Sequence, residues 1–159
     1  MATRQDFQIA SDICRFANII NDLLDYCAYS LRLINPDNGG ALRILVPSSE
    51  MGAPPIYREP TVDDLKEIVV RHVTQIQTYY TGLNSFINGL GLARVRDALL
   101  AWEIDVSAFR NDLLSMYNIA NTLEAQVNTA ATFADCETGA TYIDNNVPKL
   151  PLFRRRWSL

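Results

Sequence analysis

Apolar residues recur at alternating intervals of three and four over most of this chain. From Leu92 onward the series Leu92, Val95, Leu99, Trp102, Val106, Phe109, Leu113, Met116, Ala120, Leu123, Val127, Ala130 and Ala134 keeps that rhythm without a skip. It predicts a heptad seam on one continuous helix, because neither Gly nor Pro interrupts the series before Gly139. At a rise of about 1.5 Å per residue that helix would span about 60 Å, more than one compact layer of neighbours covers. The pattern therefore asks for long partner helices or for another chain.

Two further segments show the same periodicity. Near the N-terminus, Ile9, Ile13, Phe16, Ile20, Leu23, Cys27 and Ile34 form a stripe that Ala10, Ala17, Leu24 and Leu31 widen. This helix should end near Leu33, since Asn35-Pro36-Asp37-Asn38-Gly39-Gly40 is a stop-and-turn signal. In the middle of the chain, Val62, Leu65, Val69, Val73, Ile76, Tyr80, Leu83 and Ile87 recur on one side of another helix. Thr61, followed by Asp63 and Asp64, suits its N-terminus. Gly82, Gly89 and Gly91 are expected to mark fraying, a bend and a tight turn into the longest helix.

The fold class expected from these segments is all-α: an elongated bundle of three long heptad-patterned helices over residues 1–143, followed by an extended arm over 144–159. Residues 35–60 form a Pro-rich connection with Pro36, Pro47, Pro54 and Pro55. Within it Ala41-Leu42-Arg43-Ile44-Leu45-Val46 is apolar enough for one short strand, which would pair with Thr141-Tyr142-Ile143 or with a neighbouring subunit.

A chain of 159 residues fits one domain that folds by core packing alone, and 48% hydrophobic with 20% charged residues is ordinary globular composition. The first residues contain no apolar leader and no apolar run reaches the length of a bilayer span, so a cytoplasmic protein with no membrane partner is expected. Cys14, Cys27 and Cys136 lack CxxC spacing and read as free buried thiols. Charge is uneven. Lys149, Arg154, Arg155 and Arg156 place four positive charges in the last eleven residues, and removing them from the net −4 leaves the first 148 residues at −8. An acidic body disfavours nonspecific nucleic-acid binding, so only the arm is suited to phosphate.

Candidate chemistry is sparse. His72, the only histidine, follows Glu67 by five residues rather than the three or four that align two ligands, and reads as a structural or surface residue. Asp63, Asp64 and Glu67 are explained by the dipole of a first helical turn. Gly89-Leu90-Gly91 follows a helix where a dinucleotide fingerprint needs a strand. Trp102, Phe109 and Met116 are seam residues seven apart and read as core. With no nucleophile elbow, no phosphate loop and one histidine, neither catalysis nor a metal or cofactor is expected. The arm residues Leu152, Phe153, Arg154, Arg155, Arg156 and Trp157 are the group that core formation does not explain. Aromatics flanking arginines stack on and pair with phosphate, or anchor in a pocket on a protein partner.

A long seam, a proline-rich excursion and an aromatic-basic arm together resemble, in architecture, the small helical adaptor, connector and tail proteins of tailed bacteriophages. That resemblance implies a structural or assembly protein, a homo-oligomer or a piece of a larger complex, located in the host cytoplasm and the assembled virion. The alternatives left open are a nucleic-acid-associated helical module using the C-terminal arginines, and a ligand-binding or enzymatic bundle with a pocket beside Trp102 and His72.

Overall fold

The computed structural model describes residues 3–33, 44–46 and 51–147. Among them five helices hold more than half of the chain: α1 Arg4–Leu33, α2 Val62–Leu90, α3 Leu92–Leu100, α4 Val106–Asn128 and α5 Phe133–Asn146. The fold is all-α, with one small hairpin of strands β1 Ile44–Val46 and β2 Ile56–Arg58 between the first two helices.

Three of the helices begin with the same device. Thr3 and Asp6 exchange side-chain and backbone hydrogen bonds at the start of α1. Thr61 and Asp64 do so at α2, and Thr132 and Asp135 at α5. In each Thr-x-x-Asp box the hydroxyl accepts the N–H of the aspartate while the carboxylate accepts that of the threonine, and the acid also meets the positive end of the helix dipole. α4 starts more simply, with the Asp105 carboxylate accepting the Ala108 N–H at 2.9 Å.

The helices pack side by side, bundle-like, around one core. α1 lies against α2 and α5, α2 against α4, and α4 against α5. Phe16 faces Tyr79 and Tyr26 faces His72, so α1 and α2 run antiparallel. Lys66 reaches the Asn128 carbonyl, Gln77 donates to Asn121, Tyr80 stacks on Tyr117 with ring centres 4.4 Å apart, and Arg110 donates to Asn88, so α2 and α4 are also antiparallel. The core is formed by Ile13, Ile20, Leu24 and Leu31 of α1, Leu65, Val69, Val73 and Ile76 of α2, and Phe109, Met116 and Leu123 of α4. α3 packs on α1, α2 and α4 at the end where α1 begins, through Val95, Ala98 and Leu99. α5 covers the other end, where Gly139 lies against Leu31, Leu123 and Val127.

The seam expected on one long helix is instead carried by three. Ile104 N–H bonds the Leu99 carbonyl and Glu103 N–H the Leu100 carbonyl, both at 3.0 Å, with Glu103 at φ 58°; this Schellman turn ends α3. A second break follows α4, where Thr129 turns its hydroxyl back to the Gln126 carbonyl and the Thr132–Asp135 box starts α5. The apolar spacing survives both breaks because Trp102 and Val106, on either side of the first, pack against the core and Ala130 is buried within the second. The partners that the seam required are α1 and α2 of the same chain.

Four smaller expectations also change. α2 continues through Gly82 and Gly89, and the chain turns only at Gly91, whose φ of 80° favours glycine. The strand at Ile44–Val46 pairs with Ile56–Arg58, not with Thr141-Tyr142-Ile143, which lies inside α5. The helical part extends past residue 143 to Asn146, because the box at Thr132 nucleates a helix whose last backbone bond runs from Val147 N–H to the Ile143 carbonyl at 2.8 Å. The connection over 35–60 holds a hairpin rather than a single strand, and most of its remaining residues lie outside those described.

Candidate interaction surfaces

Of the seam residues, Val95, Leu99, Phe109, Leu113 and Met116 are buried, and Trp102 and Val106 are half-buried against the core. Leu92 is 59% exposed, because it opens α3 directly after the Gly91 turn and faces outward; Ala134, in the first turn of α5, is exposed as well. The seam is thus mostly spent inside the molecule. The arm residues Leu152, Phe153, Arg154, Arg155, Arg156 and Trp157 lie outside the described residues.

Of the polar groups singled out in the sequence, His72, Asp64 and Glu67 each have a structural partner. His72 places Nδ1 2.9 Å from the Ile68 carbonyl one turn back, and its ring meets Tyr26 edge-on at 6.4 Å. Asp64 takes two hydrogen bonds from the Arg58 guanidinium, at 2.6 and 2.9 Å, beside those from Thr61. These hold its carboxyl at about 2, below the ordinary 3.8, with the Arg58 bonds the largest cause and burial acting against them. Asp63 lies exposed in the same first turn, and Glu67 pairs with Arg71 one turn along. Cys14, Cys27 and Cys136 are buried and in no disulfide, and burial pushes the Cys27 thiol up to about 12, so it packs as an apolar group. No group of three or more His, Cys, Asp or Glu side chains suited to a metal ion occurs among the described residues. Within the same residues no helix is long and apolar enough to cross a membrane.

Two polar features of the interior escaped the sequence reading. Asn21 is 2% exposed and its amide donates to the Met116 sulfur across the core at 3.6 Å. Asp112 on α4 is half-buried, and that burial raises its carboxyl above the ordinary range. Asn21 falls on the flank of the α1 stripe, beside Ile20 and Leu24. Polar residues at such positions are common on solvent faces, so spacing alone did not reveal its burial.

The outer surface carries the remaining signals. Tyr26 and Tyr29 on α1 are 59% and 61% exposed, and on the hairpin Ile56 and Tyr57 are 52% and 68% exposed. Ile56 and Tyr57 are adjacent in β2 and so project to opposite faces of the ribbon, which means that neither face is covered at that point. The hairpin is tied to α2 through Arg58 and its Asp64 pair. No protein-family model, no curated protein and no solved structure matches this chain.

Proposed function

We propose that this chain is a non-catalytic structural protein. It works in a homo-oligomer or a larger assembly, as virion components of tailed bacteriophages do, with an elongated helical bundle as its body and the loop and C-terminal arm as its contacts. The hairpin is the observation that carries this reading. A two-stranded ribbon is marginal in water on its own, among the described residues no further strand pairs with its outer edges, and it also leaves the apolar side chains of Ile56 and Tyr57 uncovered on opposite faces. A second subunit or another structural protein would satisfy both needs.

The buried seam argues for the same division of labour. Because Val95, Leu99, Phe109, Leu113 and Met116 are used up in the core, association must run through the hairpin, the outward aromatics and the arm. Sedimentation across a concentration series tests this. The full chain is expected to associate, and deletion of residues 149–159 is expected to leave the helical signal intact while weakening association. Phe153→Ala with Trp157→Ala should reproduce most of that loss. A full chain that remains monomeric at every concentration, alone and with candidate partner proteins, would refute the reading.

A further inference from the structure

Leu92, Arg96 and Leu100 stand at i, i+4 and i+8 of α3, which sets them in one stripe two turns long. All three are exposed, Leu92 at 59% and Leu100 at 57%, while Val95, Ala98 and Leu99 take another side of the helix into the core. Arg96 lies 3.7 Å from Asp97, with both side chains more than half exposed. That separation is too long for a hydrogen bond, and an ion pair so open to water re-pairs at little cost. Arg94 lies off the stripe, close enough to Asp6 of α1 for its charge to act on that carboxylate.

The stripe is symmetric about Arg96, with one leucine four residues before it and one four residues after. A symmetric stripe is complementary to itself. An antiparallel copy, related by a two-fold axis at Arg96, brings each Leu92 against the other chain's Leu100 and each Arg96 beside the other chain's Asp97. Charge selects the same surface. Arg94, Arg96 and Asp97 give α3 a net charge of +1, whereas each of the other four helices is net acidic and the first 148 residues sum to −8. Two such bodies meet the least repulsion where they touch through α3.

We propose that the Leu92–Arg96–Leu100 face of α3 is a symmetric docking surface for α3 of a second copy of this chain. The proposal rests on the reading of the protein as a homo-oligomer and adds a contact to it, since the hairpin is tied to α2 at the end remote from α3. Two leucines from each chain cover far less than the about 1,000 Å² of a stable interface. The contact is weak alone and takes effect where other contacts already hold subunits together.

Exchange of charge at 96 and 97 in the full-length protein tests it, read by sedimentation over a concentration series with the helical signal as the control for folding. Arg96→Asp gathers four carboxylates around the axis and Asp97→Arg gathers four guanidinium groups, so each variant alone should associate about tenfold more weakly than the parent. An equimolar mixture of the two should recover the parent's affinity, because every acid at the axis then faces a base. The double variant Arg96→Asp with Asp97→Arg should recover it as well. Leu92→Ala with Leu100→Ala should weaken association without changing any charge. Two variants that stay weak when mixed overturn the two-fold contact and place 96 and 97 against a different surface. Single variants that associate as the parent does overturn it too, and leave the assembly reading standing. A parent that is monomeric at every concentration removes the homo-oligomer and this contact together.

Discussion

Both carboxylate oxygens of Asp64 are committed: Oδ2 accepts from Thr61 and from Arg58 Nη1, and Oδ1 accepts from Arg58 Nη2. Its folded value of about 2 lies below the ordinary 3.8, so the ionised form is the one that folding favours. The stability it contributes is therefore complete above about pH 4 and is lost as pH falls towards 2. Thermal melts of the parent and Asp64→Ala should differ most at neutral pH, by about 1 kcal/mol for the lost cap, and should converge in acid. A gap that persists at pH 2 would mean that packing, not charge, sets the effect. Leu113 tests a different kind of site. It is 4% exposed in the middle of the seam, and Leu113→Asp would bury a carboxylate among apolar neighbours at a cost of about 3 to 5 kcal/mol. A variant that melts like the parent would show that Leu113 is not core.

At the scale of elements, the alternation of apolar residues located the buried faces far better than it located the helix ends. α1 ends where the Asn35-Pro36 signal requires and α2 starts at Thr61, because those boundaries are written in capping and turn chemistry. The boundaries at 101–105 and 129–132 are written there too, in Asp105 and in the Thr132-x-x-Asp135 box. Heptad spacing ran through both, since Trp102 and Val106 at the first turn and Ala130 at the second keep the rhythm and pack on the core. Glu103 hid the first break most effectively, because the left-handed residue of a Schellman turn is usually glycine, and a glutamate there gives no signal. Glu103→Gly should relieve that strain and raise stability by about 0.5 to 1 kcal/mol, readable in denaturant melts. Unchanged or lower stability would mean that the glutamate side chain compensates for its backbone.

On the scale of the whole molecule, charge divides the chain into two parts of opposite sign. The first 148 residues sum to −8, and the last eleven carry +4 with no compensating acid. Two bodies of like sign repel, so contacts between acidic surfaces alone should be weak at low salt and should strengthen as salt screens the repulsion. Contacts made by the basic arm on an acidic surface have the reverse dependence, because screening removes an attraction. If the arm carries association, the full chain should therefore associate most strongly at low salt and lose affinity as salt rises. Deletion of 149–159 should lower association at low salt and reverse the sign of the remaining dependence, since only the acidic body is left. Replacing the three arginines with Gln should flatten the dependence while Phe153 and Trp157 retain part of the affinity, because their contribution is apolar and little screened. Light scattering over a salt series on the three proteins measures the three slopes directly. Parallel slopes for the full and truncated chains would place the contact on the helical body, with the hairpin of Ile56 and Tyr57 as the first surface to mutate.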